Sequence, residues 1–153
     1  MFHLIPAPLH RLALRIAHRL RSRWWALTRN SGRAVTLVGL DGEGRVLLVR
    51  HSYGSGRWSL PGGGLGVRED PEAGLRREIR EELRCELEQV ALAFETLDVI
   101  SGGEQRGYIF VARIAGQPRA DGREILECAW FDAADLPPDT MGLARCRIAR
   151  ALG

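Results

Sequence analysis

Apolar and polar positions alternate through the middle of the chain, and the period changes where one element gives way to the next. Residues 34–40 and 45–51 are β-branched and leucine-rich, as strands are, and Asp41-Gly42-Glu43-Gly44 between them reads as a hairpin turn. Residues 53–66 are rich in glycine around Pro61, which predicts loop with at most a short strand. A helix then starts cleanly. Asp70 suits the N-cap, Pro71 the first helical position, and Glu72 the positive end of the helix dipole. Leu75, Ile79 and Leu83 recur at helical spacing and predict its buried stripe. Residues 87–100 alternate loosely, as a long strand does. Residues 101–107 read as a polar turn, 108–115 as a strand, 117–123 as a loop, and 125–131 as a strand closed by Leu136-Pro137-Pro138. Residues 141–152 predict a second helix. Strands dominate the middle and helices punctuate it, so the fold class is α+β, a mixed sheet with helices packed on its faces.

A different pattern precedes all of this. Leu9, Leu12, Ala13, Ile16, Leu20, Trp24 and Leu27 recur at helical spacing, with Arg11, Arg15 and Arg19 as a basic stripe beside them. Asn30-Ser31-Gly32 supplies a stop. This predicts a basic amphipathic N-terminal helix and linker over 1–32 and a single domain over 33–153. Charge sharpens the division. Residues 1–40 hold seven arginines and no acid, giving +7, whereas residues 41–153 hold 15 arginines against 19 acids, giving −4. The sequence pI near 9.1 therefore describes the arm more than the domain. The apolar stripe and its two tryptophans favour docking or self-association of the arm over contact with RNA, a membrane surface, or a transit role.

Composition excludes several classes of function. A chain of 153 residues suffices for one domain with a proper core. No apolar run approaches ~18 residues, so no membrane-spanning helix is expected. All 22 basic residues are arginine, which removes any lysine nucleophile or Schiff base. Cys85, Cys128 and Cys146 show no C-x-x-C spacing, which argues against a disulfide scaffold or a zinc site. They fit a reducing, cytoplasmic location, with the thiols acting as small hydrophobes.

The chemistry concentrates in Arg77-Glu78-Ile79-Arg80-Glu81-Glu82-Leu83-Arg84-Cys85. Glu78, Glu81 and Glu82 stand at i, i+3 and i+4, where like charges on one helix face repel by roughly 0.2–0.5 kcal/mol per pair. A solvated face could tolerate them through Arg76, Arg77 and Arg80. Hard divalent cations, however, take oxygen ligands, and a helix presents this trio rigidly. Taken alone this stretch favours the solvated face, and it is the spacing of Gly63 and Glu69 upstream that reverses the choice. Glycine lets backbone approach the helix closely, and Arg77 is suited to orient a neighbouring glutamate by charge-assisted hydrogen bonds.

The spacing Gly63, five residues, Glu69, seven residues, Arg77-Glu78-Ile79-x-Glu81-Glu82 resembles the signature of the Nudix hydrolases. Chance would match it on the order of once in 10⁵ or fewer sequences of this length. Trp58-Ser59-Leu60-Pro61-Gly62-Gly63-Gly64 and the stretch from Glu124 to Phe131 resemble the flanks of that box, and the likeness covers roughly residues 34–150. Arg84 and Cys85 depart from it, standing where the pattern has glycine and a bulky aliphatic residue. Gly66 and Arg68 stand where members often carry glutamate and glycine.

The resemblance implies an α/β/α sandwich and hydrolysis of a diphosphate linkage in a nucleoside diphosphate derivative, with water attacking phosphorus. It implies Mg²⁺, with Mn²⁺ as substitute, held by Glu78, Glu81 and Glu82 with Glu69 close by, and Arg77 as orienting partner. The family draws its general base from the helix or from a later loop, so Glu81, Glu104, Glu124 and Glu127 are all candidates. Gly63, Gly64, Arg50 and Arg57 are expected around the substrate, and Trp58 either there or packed in the core. His51 and Tyr53 flank the same loop. The expected partner is a nucleotide or another small diphosphate, with a homodimer as a family-level expectation. The rival reading is a binding module of the same fold that senses a ligand or an RNA end without turnover.

Overall fold

The computed structural model describes residues 32–100 and 102–153. The predicted N-terminal helix lies outside the described residues. Within them the chain forms seven strands and two helices: β1 (Arg33–Leu40), β2 (Val46–His51), β3 (Trp58–Ser59), β4 (Gly62–Gly64), α1 (Pro71–Leu83), β5 (Glu86–Ile100), β6 (Gly103–Ala115), β7 (Ile125–Phe131) and α2 (Gly142–Leu152). The strands make one mixed sheet in the order β3-β2-β1-β6-β5, with β4 on β1 and β7 on β2. β1 and β6 run parallel over their whole shared length, and the other pairings are antiparallel.

Both faces of the central strands are buried, and alternate residues go to opposite sides, as the pleat requires. Val35, Leu37, Leu47 and Val49 join Leu75, Ile79 and Leu83 of α1 in one core. Val46, Leu48 and Val38 join Ala144 and Ile148 of α2 in the other. The result is the expected sandwich, a sheet between two helices. The β1–β2 turn forms because Asp41 Oδ1 accepts the backbone N–H groups of Glu43 and Arg45. Cys85 is buried in the α1-side core, where burial pushes its thiol up to about 11, so it serves as packing.

Two boundaries differ from the sequence reading. The glycine-rich stretch contains two short strands, β3 and β4. The turn predicted over 101–107 is also shorter, since the β5–β6 ladder runs out to Ile100 opposite Gly103. Glu104, Gln105 and Arg106 are strand residues on a solvent-facing hairpin, where no buried face imposes the alternation that reveals a strand. The loose alternation of β5 has a cause too, two register shifts between Glu88 and Ala91 and between Leu92 and Phe94.

Candidate active site

The helix that carries the glutamates is fixed at both ends. The Asp70 side chain accepts the N–H of Ala73 at 3.0 Å, capping the start. Arg84 closes the end in the left-handed region, φ 55° and ψ 36°, with its N–H donating to the Arg80 carbonyl. Between these caps the apolar stripe seats the helix on the sheet and decides how each glutamate stands. Glu78 and Glu82 are 6% and 4% exposed, whereas the Glu81 side chain is 61% exposed. Two carboxylates are therefore buried against β4 and the sheet, and one faces solvent.

Gly63 makes this possible. A Cβ at that position would lie 2.4 Å from Glu78 Cδ, closer than atoms can approach, so the β4 backbone and the Glu78 carboxylate share space that only glycine leaves open. Gly64 follows, and its carbonyl accepts from Arg77 Nη2 at 3.4 Å.

Arg77 is the hub. It clasps Glu69 in a two-point contact, Nε to Oε1 at 2.7 Å and Nη2 to Oε2 at 3.1 Å. Its Nη1 reaches Glu78 Oε1 at 2.9 Å and Glu81 Oε2 at 3.4 Å. Planar bidentate pairing of this kind suits arginine and fixes the orientation of both partners. Glu69 in turn accepts the N–H of Gly66 at 2.8 Å. The loop that presents Glu69 is tied down by Arg33, whose Nη1 donates to the carbonyls of Gly66, Val67 and Glu69 while its guanidinium lies over the Tyr108 ring. A Cβ on Gly66 would make only ordinary contact with Glu69, so this loop has room for a side chain at that position.

The electrostatics are lopsided. Burial, with the charges of Glu78, Asp121 and Glu81, pushes the Glu82 carboxyl up to about 8. Burial raises Glu78 as well, opposed by Arg77. Glu82 Oε2 is buried with no hydrogen-bond partner. Partial burial and the charges of Glu82 and Glu78 push the Tyr53 phenol up to about 12. As they stand, no three His, Cys, Asp or Glu side chains among the described residues converge as a ligand set. Glu78 and Glu81 are instead turned onto Arg77. The donors nonetheless fit a hard divalent cation. They are all carboxylate oxygens, they outnumber the one arginine among them, and one buried oxygen has nothing to bind.

The remaining residues expected from sequence assemble elsewhere. Arg50 ion-pairs with Glu127 at 3.3 Å and Asp139 at 2.9 Å and lies over the Trp58 ring. Trp58 is buried in the α2-side core, edge-on to Phe131, and Arg57 donates to the Thr140 carbonyl. Alternation along β2 puts Val49 on the α1 side and Arg50 on the other, and Glu127 is directly opposite Arg50. This cluster is thus on the reverse face of the sheet from the α1 glutamates. Glu104 is at the exposed end of the β5–β6 hairpin, and Glu124 immediately precedes β7, its carbonyl accepting from Ser52. The sequence reading passed over Asp121, which sits in an unpatterned loop. Its N–H donates to the Glu82 carbonyl, while Oδ1 gathers the N–H groups of Arg123, Glu124 and Ile125. Only its aspartate identity in a tight turn hinted at the second of these roles.

Comparison with known proteins agrees with this geometry. The NUDIX domain family matches residues 30–151. An ADP-ribose pyrophosphatase of Mycobacterium tuberculosis is 34% identical over 110 residues, 67% of this chain and 53% of the relative. An RNA pyrophosphohydrolase of Teredinibacter turnerae is 38% identical over 58 residues, 38% of this chain and 34% of the relative. The chain thus spans about half the length of the first relative and a third of the second. Among solved structures, a MutT NUDIX hydrolase from Burkholderia pseudomallei superposes with a TM-score of 0.68 at 27% identity, covering 77% of this chain and 95% of that one.

Proposed function

Because this chain belongs to the Nudix family, we propose that it is a divalent-cation-dependent hydrolase that cleaves a diphosphate linkage in a nucleoside diphosphate derivative. The observation that carries this reading is Glu82, a buried carboxylate with one unpartnered oxygen, near enough to Glu78 for their charges to oppose each other. Mg²⁺ is the expected cation, with Mn²⁺ able to replace it, and Glu78, Glu81 and Glu82 are the residues that would hold it, with Glu69 behind them. A bound cation would supply charge neutralisation at phosphorus and a more acidic water.

The chain's own residues do the rest. Glu78 and Glu82 approach from the buried side, which restricts the position of whatever they hold. Arg77 keeps Glu69 and Glu78 in register. Glu81, the exposed member of the trio, is the carboxylate best placed to accept the proton of the attacking water. The new bond forms between water oxygen and phosphorus, and the bridging oxygen departs with the second phosphate. One relative is named for ADP-ribose and another for RNA, and pyrophosphate cleavage is common to both names.

The test is product release with Mg²⁺ across ADP-ribose, dinucleotide polyphosphates, nucleotide sugars, nucleoside triphosphates and capped RNA. Turnover of at least one class is expected, with Glu82→Gln abolishing it while leaving the fold intact. Full activity in Glu82→Gln, or saturable binding with no turnover anywhere on the panel, would overturn the proposal.

A further inference from the structure

The outer edge of the sheet carries an apolar strip that the active site does not use. β5 is the last strand beyond β6, and its Leu92, Leu97 and Val99 are 48%, 64% and 76% exposed. Directly paired residues point to the same side of a sheet. Leu92 is opposite Phe110, Leu97 opposite Arg106 and Val99 opposite Glu104, and Phe110 and Tyr108 pack with the α1-side core. The strip therefore lies on the α1 face, outboard of the helix. Acids are set among it: Glu95 faces the same way opposite Tyr108, where Arg106 pairs with it at 3.8 Å, and Glu104 stands opposite Val99. Asp98 alternates to the other face, where Arg147 holds it at 2.9 Å.

The point where the preceding 31 residues join the sheet is close by. The Gly32 carbonyl accepts the N–H of Arg106, and a Cβ on Gly32 would stand 2.8 Å from the Glu104 carbonyl. Gly32 thus adjoins the same end of the β5–β6 hairpin that carries Leu97 and Val99. Residues 1–31 hold six arginines and no acid, +6, while residues 32–153 hold 16 arginines against 19 acids, −3, together the +3 of the chain. The apolar positions from Leu9 to Leu27 are at helical spacing. A helix over 9–29 would be about 30 Å long, shorter than the roughly 45–50 Å that a 15-residue strand can offer.

We propose that residues 9–29 dock on the outer edge of this same chain's sheet. Their leucine and tryptophan stripe covers Leu92, Leu97 and Val99, and their arginines face Glu95 and Glu104. The charge pattern selects this occupant over a second copy of the domain. Antiparallel pairing of β5 with another β5 would set a row of acids against itself, a common way for edge strands to avoid self-association. An acid-free basic segment tethered beside the strip instead meets Glu95 and Glu104, with the one arginine among them, Arg106, already paired to Glu95.

Hydrogen exchange of the full chain tests this, with oligomeric state followed by light scattering over a wide concentration range. Residues 9–29 should be protected in the monomer, and the double variant Leu97→Arg/Val99→Arg should lose that protection by at least about tenfold. Both positions are exposed, so the variant's thermal transition should otherwise be retained. Reversing the arm with Arg11→Glu, Arg15→Glu and Arg19→Glu should have the same effect, and combining it with Glu95→Arg/Glu104→Arg should restore protection. Protection unchanged in Leu97→Arg/Val99→Arg would overturn the proposal. So would protection that appears only with dimer formation, which assigns the strip to a second copy, or only with anionic vesicles.

Discussion

Glu82 is held where a carboxylate destabilises the fold unless a cation joins it. Its Oε2 is buried and unpartnered, with Glu78, Asp121 and Glu81 all near enough to oppose its charge. In chelator at pH 9, where the Glu82 carboxyl is ionised, Glu82→Gln removes a buried charge and should therefore be more stable than the natural chain, by roughly 1–3 kcal/mol. Denaturant melts in EDTA measure this, and equal or lower stability would mean that the site is already satisfied without metal. Such a gain at the expense of activity is the usual trade at functional sites. Gly63 makes the complementary case. Gly63→Ala places a methyl on the Glu78 carboxylate, so Glu78 must swing away while the backbone remains. Cation affinity should fall by about 10–100-fold, as for other residues that orient ligands, with little change in thermal stability. Isothermal titration with Mn²⁺ or Mg²⁺ reads this directly.

At the scale of elements, α1 is a local structure with a non-local task. Its N-cap, its first-turn proline and its apolar stripe were all legible, because caps and periodicity are properties of a few adjacent residues. Its end is less regular, since Arg84 takes the left-handed conformation that glycine adopts without strain. Arg84→Gly should therefore stabilise the protein by about 1 kcal/mol, seen in chemical melts, with no change in cation affinity. What periodicity missed is the split among the three glutamates. Spacing of i, i+3 and i+4 puts them on one face, but which part of that face is buried depends on where β4 crosses it, and β4 is short and glycine-rich. The cluster of Arg50, Trp58 and Glu127 was hidden for a similar reason. Arg50 and Trp58 border the glycine loop in sequence, yet strand alternation turns them, with Glu127 of β7, onto the other side of the sheet.

For the whole molecule, the proposed cation binding would be linked to folding. A site that exists only in the folded state gains stability by mass action, about 2.7 kcal/mol at a cation concentration one hundred times Kd. Thermal unfolding of the natural chain should shift upward with Mg²⁺ and return with EDTA, whereas Glu82→Gln should show a much smaller shift. Among the described residues no helix is long and apolar enough to cross a membrane. The charge imbalance between the basic arm and the acidic remainder is a property of the entire chain.

Sequence by itself determined the fold class, most element positions, and the five residues Gly63, Glu69, Arg77, Glu78 and Glu82 that the structure brings together. Short-range pattern carries all of that, since the box lies within two dozen consecutive residues. Tertiary structure alone decided that Glu78 and Glu82 are buried while Glu81 is not, that Arg33 and Tyr108 brace the loop, and that Asp121 bears on Glu82. Each of these depends on contacts between segments distant in sequence, and burial, which sets the energy of a charge, is created only when those segments pack.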